Sequence, residues 1–158
     1  MKTIYPIAQL LLRCAIGIGF LLPVLDRTGA FGAPNEANVA WGNWANFAAY
    51  THTLIPYVNL SMASFFGFVA TVLEVMFGIL LLAGYKIKYV AFGSFGLTLV
   101  FALSMLFFLH YRAPFSYSVF VVSFSSLMLA VQPSFPWSID AYLAARTNEK
   151  TYHSKSIF

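Results

Sequence analysis

Charge is scarce in this sequence. Asp and Glu number five, Lys and Arg nine, and charged residues fill 9% of the 158 positions. A soluble domain carries about 25%, and a water-facing chain of this length needs such a shell around its core. With 60% of residues hydrophobic, lipid takes the place of the missing polar shell. The few basic residues form no clustered face, which excludes a nucleic-acid interface.

Cysteine is nearly absent as well. Cys14 stands alone in an apolar run, so no intramolecular disulfide, CxxC redox centre or cysteine zinc site can form. It reads as a small packing residue. Flavin and nucleotide motifs, phosphate loops, nucleophile triads and internal repeats are missing too. No metal site is expected, and no cofactor is intrinsic to the chain.

Four apolar stretches are present: Pro6 to Leu25, Tyr57 to Tyr85, Tyr89 to Tyr111, and Ala113 to Val131. Each approaches the roughly 20 residues that cross about 30 Å of hydrocarbon. The first follows Lys2 and precedes Ala30-Phe31-Gly32, as a secretory signal would. Its length instead favours a retained span. The expected fold is therefore an all-α membrane protein: a four-transmembrane-helix bundle over residues 1–135, followed by a polar cytoplasmic tail over 136–158.

The connections differ. A loop of some 30 residues runs from Asp26 to Pro56, whereas Lys86-Ile87-Lys88 and the region of Arg112 and Pro114 are tight turns. Lys2, Lys86, Lys88, Arg146, Lys150 and Lys155 fall on one side of a four-pass chain, and Arg27 and Arg112 on the other. This asymmetry places both termini in the cytoplasm. Within the long outer loop Trp41, Trp44, Phe47, Tyr50, Leu54 and Tyr57 recur at near-helical spacing. They predict a short interfacial helix, either an aromatic anchor or a lid over a ligand pocket.

Two charges interrupt the apolar runs, Arg13 and Glu74. A charge near the bilayer centre costs at least a few kcal/mol, so both should face inward. Pro6, Gln9, Arg13 and Gly17 share one stripe, as do Gly67, Ala70, Glu74 and Gly78. At 1.5 Å per residue Arg13 lies about 10 Å and Glu74 about 15 Å from the cytoplasmic ends of their helices. The two are expected to pair, either as a structural lock or as a proton or quinone-head-group site. His52 and His110, with Trp41 and Trp44, mark an outer-side pocket; no third ligand accompanies the histidines. His153 belongs to the polar tail. Gly93 and Gly96, and Ser118, Ser123, Ser125 and Ser126, predict close helix packing.

Three segments, LLRCAIGIGFLL with Arg13, WANFAAY before Pro56, and ATVLEVMFGILLLAGY with Glu74, resemble the DoxX family of small bacterial membrane proteins. The likeness runs from about Gln9 to Pro133, and the outer loop is longer than the family pattern. The resemblance implies a four-helix protein of the bacterial inner membrane. Some relatives are membrane subunits of a thiosulfate:quinone oxidoreductase; others are linked to oxidative-stress complexes or to maturation of redox enzymes. The expectation is thus an accessory subunit or scaffold that meets the bilayer and other membrane subunits in a redox-linked complex. A quinone-linked oxidoreductase subunit is the alternative, with a quinone as its ligand. A small transporter would show broken helices or more polar groups within the membrane.

Overall fold

The computed structural model describes residues 4–155, with side chains through residue 147. The side chains of Lys2, Lys150, His153 and Lys155 therefore lie outside the described residues. Every regular element is helical: α1 Ile4–Arg27, α2 Trp44–Leu54, α3 Leu60–Ala83, α4 Ile87–Ser104, α5 Ala113–Ser116, α6 Val119–Ala130 and α7 Ile139–Lys155. A π-helical turn, Met105–Leu109, extends α4. Among the described residues three stretches are long and apolar enough to cross a membrane: α1, α3, and α4 with its π turn.

The fourth apolar stretch behaves differently. Instead of one helix over 113–131, the chain forms the four-residue α5 and the 12-residue α6. Pro114 belongs in the first turn of α5, where its missing N–H costs nothing. The break lies at Ser118, which has φ 54 and ψ 26 in the left-handed region. At 1.5 Å per residue α6 is about 18 Å long, short of the hydrocarbon thickness.

α1 and α3 run antiparallel and touch through glycines. A Cβ on Gly78 would stand 2.8 Å from Leu21 and 3.0 Å from the Gly17 carbonyl oxygen, so only the bare backbone permits this approach. One turn outward, Phe20 meets Phe77 edge-on with centroids 6.2 Å apart. α4 and α6 pack through small residues: Ala91, Ser94, Ala102, Ser123, Ser126 and Ala130 are buried. Of the four serines, Ser123 and Ser126 lie on this packing face, whereas Ser118 is exposed and Ser125 borders a groove. Ser126 donates back to its own helix at Val122, and Ser123 crosses to the Phe95 carbonyl at 3.2 Å. Gly93 likewise receives the Phe77 ring, whereas Gly96 faces open space.

One hydrophobic core lies toward the α3–α4 turn. Leu81, Ile87, Ala91, Leu129 and Ala130 are fully buried there, and Phe135 packs against them. The polar tail expected after residue 135 contains α7 and is tied to this end. Asp140 accepts from the Lys86 and Ile87 amides at 2.8 and 2.9 Å. Lys86, the residue before α4, caps nothing with its own side chain, so Asp140 supplies the missing N-terminal acceptors from across the chain.

Candidate functional site

The opposite half, beside the loop between α1 and α2, is built around Arg27, the last residue of α1. Its side chain is 3% exposed. Nη1 donates to Thr71 Oγ1 at 2.6 Å and forms an ion pair with Glu74 Oε2 at 2.7 Å. Thr71 passes its own proton to the Gly67 carbonyl at 2.8 Å. The guanidinium carbon lies 3.8 Å from the Phe47 ring centroid and 5.3 Å from that of Trp41. Aromatic faces suit a weakly hydrated, planar cation. The pairing is incomplete, however. Oε2 receives no aligned N–H, and Arg27 Nε is buried without a partner.

The loop is fastened to the same turn of helix. Asp26 is buried, and its two carboxylate oxygens accept from the amides of Ala40 and Trp41 at 3.1 and 2.8 Å. Asn43 then caps α2 by accepting from the Asn46 amide at 2.8 Å. α2 settles on α3 at Gly67, where a Cβ would lie 3.0 Å from Phe47. The short helix expected in the first outer loop is thus present, and its aromatic face covers Arg27.

Below this cover a groove of about 970 Å³ opens between α1, the π turn and α6. Its walls include Phe20, Leu54, Phe101, Met105 and Val122, and both Arg27 and Glu74 border it. This volume lies at the upper end of the range for small-molecule sites. Pro23, inside α1, and Gly19 also line it. Proline has no N–H for the carbonyl four residues back, so the Gly19 carbonyl lacks its usual helical donor. Tyr50 and Tyr117 border the groove too. Burial, followed by the nearness of Tyr117, pushes the Tyr50 phenol above its ordinary value.

Arg13 is not the partner of Glu74. It faces Gly84, whose Cβ position lies 2.9 Å from Arg13 Nη1. Gly84 is ten residues beyond Glu74, roughly 15 Å along a helix, farther than the two side chains can bridge. Matching the cytoplasmic ends of the apolar runs misjudged the register, because glycine contacts, not run ends, align these helices. Arg13 instead donates from Nη2 to the Trp137 carbonyl at 2.9 Å. Beside it, Gln9 Nε2 donates to the Ser134 carbonyl at 2.6 Å. Arg13 and Gln9 therefore hold the segment that leads into α7.

Of the four residues expected at an outer pocket, Trp41 lines the groove. Trp44 turns to α3, where Nε1 donates to Ser64 Oγ at 3.0 Å and the ring meets Phe68. His52 Nε2 lies 2.9 Å from the Val58 carbonyl and fastens the turn after α2. His110 is exposed beyond the π turn. Among the described residues no group of three or more His, Cys, Asp or Glu side chains could hold a metal. Arg27 and Asp26 read in sequence as loop charges; the signal for Arg27 was the buried stripe Gln9, Arg13, Ile16, Phe20, whose steps of three and four continue to it. No family model, curated protein or solved structure matches the chain.

Proposed function

We propose that this protein is a non-catalytic membrane subunit that holds a lipophilic molecule in the outer groove and serves a larger, redox-linked complex. The observation that carries the reading is the groove itself, whose apolar walls end on the buried Arg27–Glu74 pair. An ion pair this deep is weak evidence for stability alone, and polar groups placed within a membrane mark functional sites by default. The redox context rests on the resemblance to DoxX proteins. Under the alternative, a quinone-linked oxidoreductase subunit, the groove receives a quinone from the bilayer and the electrons come from a partner. Purification in mild detergent should recover a lipophilic small molecule together with membrane-protein partners. The isolated chain should show no turnover with quinols; robust quinol oxidation by this chain alone would replace the subunit reading with the enzyme one.

The setting proposed is the bacterial inner membrane, with four passes and both termini in the cytoplasm. α5 and α6 together make the fourth pass. The support is the distribution of Lys and Arg among the connections. A cysteine placed at Asn35 should react with a membrane-impermeant thiol reagent applied to intact cells, and one at Lys88 only after lysis. Labelling of Lys88→Cys from outside would invert the topology.

A further inference from the structure

Resting on the groove reading above, we infer that the head group held at the groove's polar end is neutral and carries both a hydrogen-bond acceptor and a hydrogen-bond donor, as the carboxamide of a fatty amide does. Arg27 and Glu74 both border the groove. Arg27 Nε and Glu74 Oε2 are buried without an aligned hydrogen-bond partner. That leaves Nη2 and Oε1 as the open atoms of the pair, and neither makes a hydrogen bond among the described residues. A guanidinium only donates and an ionised carboxylate only accepts, so the pair presents a donor beside an acceptor. The rest of the lining is mixed in the same way. The Trp41 indole N–H and the Tyr50 and Tyr117 hydroxyls border the groove without a partner among the described residues, and a phenol both donates and accepts. Thr51 and Thr98, by contrast, have given their protons to the Phe47 and Ser94 carbonyls. Asp26 is engaged by the Ala40 and Trp41 amides of the loop.

A carboxamide meets both needs at once, its oxygen accepting from Arg27 or a phenol while its N–H donates to Glu74. A head that only accepts leaves the carboxylate unmet, and one that only donates leaves the guanidinium unmet; each such group then bears its desolvation penalty. Charge points the same way. The charges of Arg27 and Glu74 cancel, so a carboxylate head would add a negative charge beside Glu74 and an ammonium head a positive one beside Arg27, in a medium that screens them poorly. The gap between α1 and α6 is the path from the bilayer: Gly19 and Leu22 on one side, and Val121 and Ser125 on the other, border the groove. No atom lies within 4 Å of a Cβ built on Gly19, so a side chain there would fill the groove without disturbing the fold.

The test uses the full chain in phosphatidylcholine nanodiscs with Trp44→Phe and Trp137→Phe, which leaves Trp41 at the groove as the sole tryptophan. Dibrominated stearyl probes share the quenching chain and differ in the head: primary amide, methyl ester, carboxylic acid or amine. At mildly alkaline pH the acid is anionic and the amine cationic. The amide should quench Trp41 at a mole fraction in the disc lower than any other probe needs by at least about tenfold, the factor equivalent to ~1.4 kcal/mol. Arg27→Met combined with Glu74→Leu should level the probes. Gly19→Leu, which also favours the helix, should weaken quenching by all of them while leaving the melting temperature unchanged or raised. Quenching by the ester, acid or amine equal to that by the amide, or stronger, overturns the head-group assignment and leaves the groove reading standing. An amide preference that survives either variant places the head elsewhere and overturns the inference, and quenching by no probe removes both readings.

Discussion

Replacing Arg27 alone with methionine is expected to destabilise the protein by about 3–5 kcal/mol, because it leaves Glu74 buried without its counter-charge. Glu74→Leu alone should cost a similar amount by stranding the guanidinium beneath Phe47 and Trp41, where no other carboxylate among the described residues pairs with it. Removing both should be milder than the sum of the two, since the desolvation penalty of each ion goes with it. Unfolding in detergent, followed by circular dichroism, supplies the double-mutant cycle. A second cycle with Arg13→Met and Glu74→Leu should show additivity, as sites about 15 Å apart without shared partners do. Coupling in the second cycle and none in the first would mean that α1 and α3 pack in another register.

The second large effect is expected at the opposite end. Asp140→Ala removes the acceptors of two amides at the start of α4. Ile87 is fully buried, so its amide finds no water in exchange. Loss of a cap costs about 0.5–2 kcal/mol, and the total here should reach the upper part of that range. The same change loosens one end of the segment that Arg13 and Gln9 hold through the Trp137 and Ser134 carbonyls. Hydrogen exchange should therefore accelerate at Lys86 and Ile87, and proteolysis should cut sooner between Val131 and Asp140. Unchanged exchange at both amides would show that α4 begins without help from Asp140.

The spans were legible because their signal is collective. Twenty apolar positions in a row outweigh any single residue, and α1, α3 and α4 extend within a few residues of their expected limits. The helix of the outer loop was legible for the same reason, from aromatic residues at helical spacing. The break at Ser118 was not, because one residue's backbone angle leaves no mark on hydropathy. The site was half legible. Glu74 announced itself as the acid inside an apolar run, but its partner is the final residue of α1, and a charge at the end of a span looks the same whether it points to water or folds back. Only the register, set by Gly17 against Gly78, decides between Arg13 and Arg27.

Asp26 and Arg27 are neighbours in the chain with opposite duties: one fastens the outer loop, the other neutralises a charge within the bundle. Lifting α2 would strip the aromatic faces from the guanidinium and let water reach the carboxylate it serves. Under the proposed function, whatever stabilises the raised loop should weaken occupancy of the groove, and whatever fills the groove should resist raising the loop by the same free energy. A contact made on the exterior of the molecule and a molecule dissolved in the bilayer are in this way two terms of one equilibrium, joined through a single peptide bond.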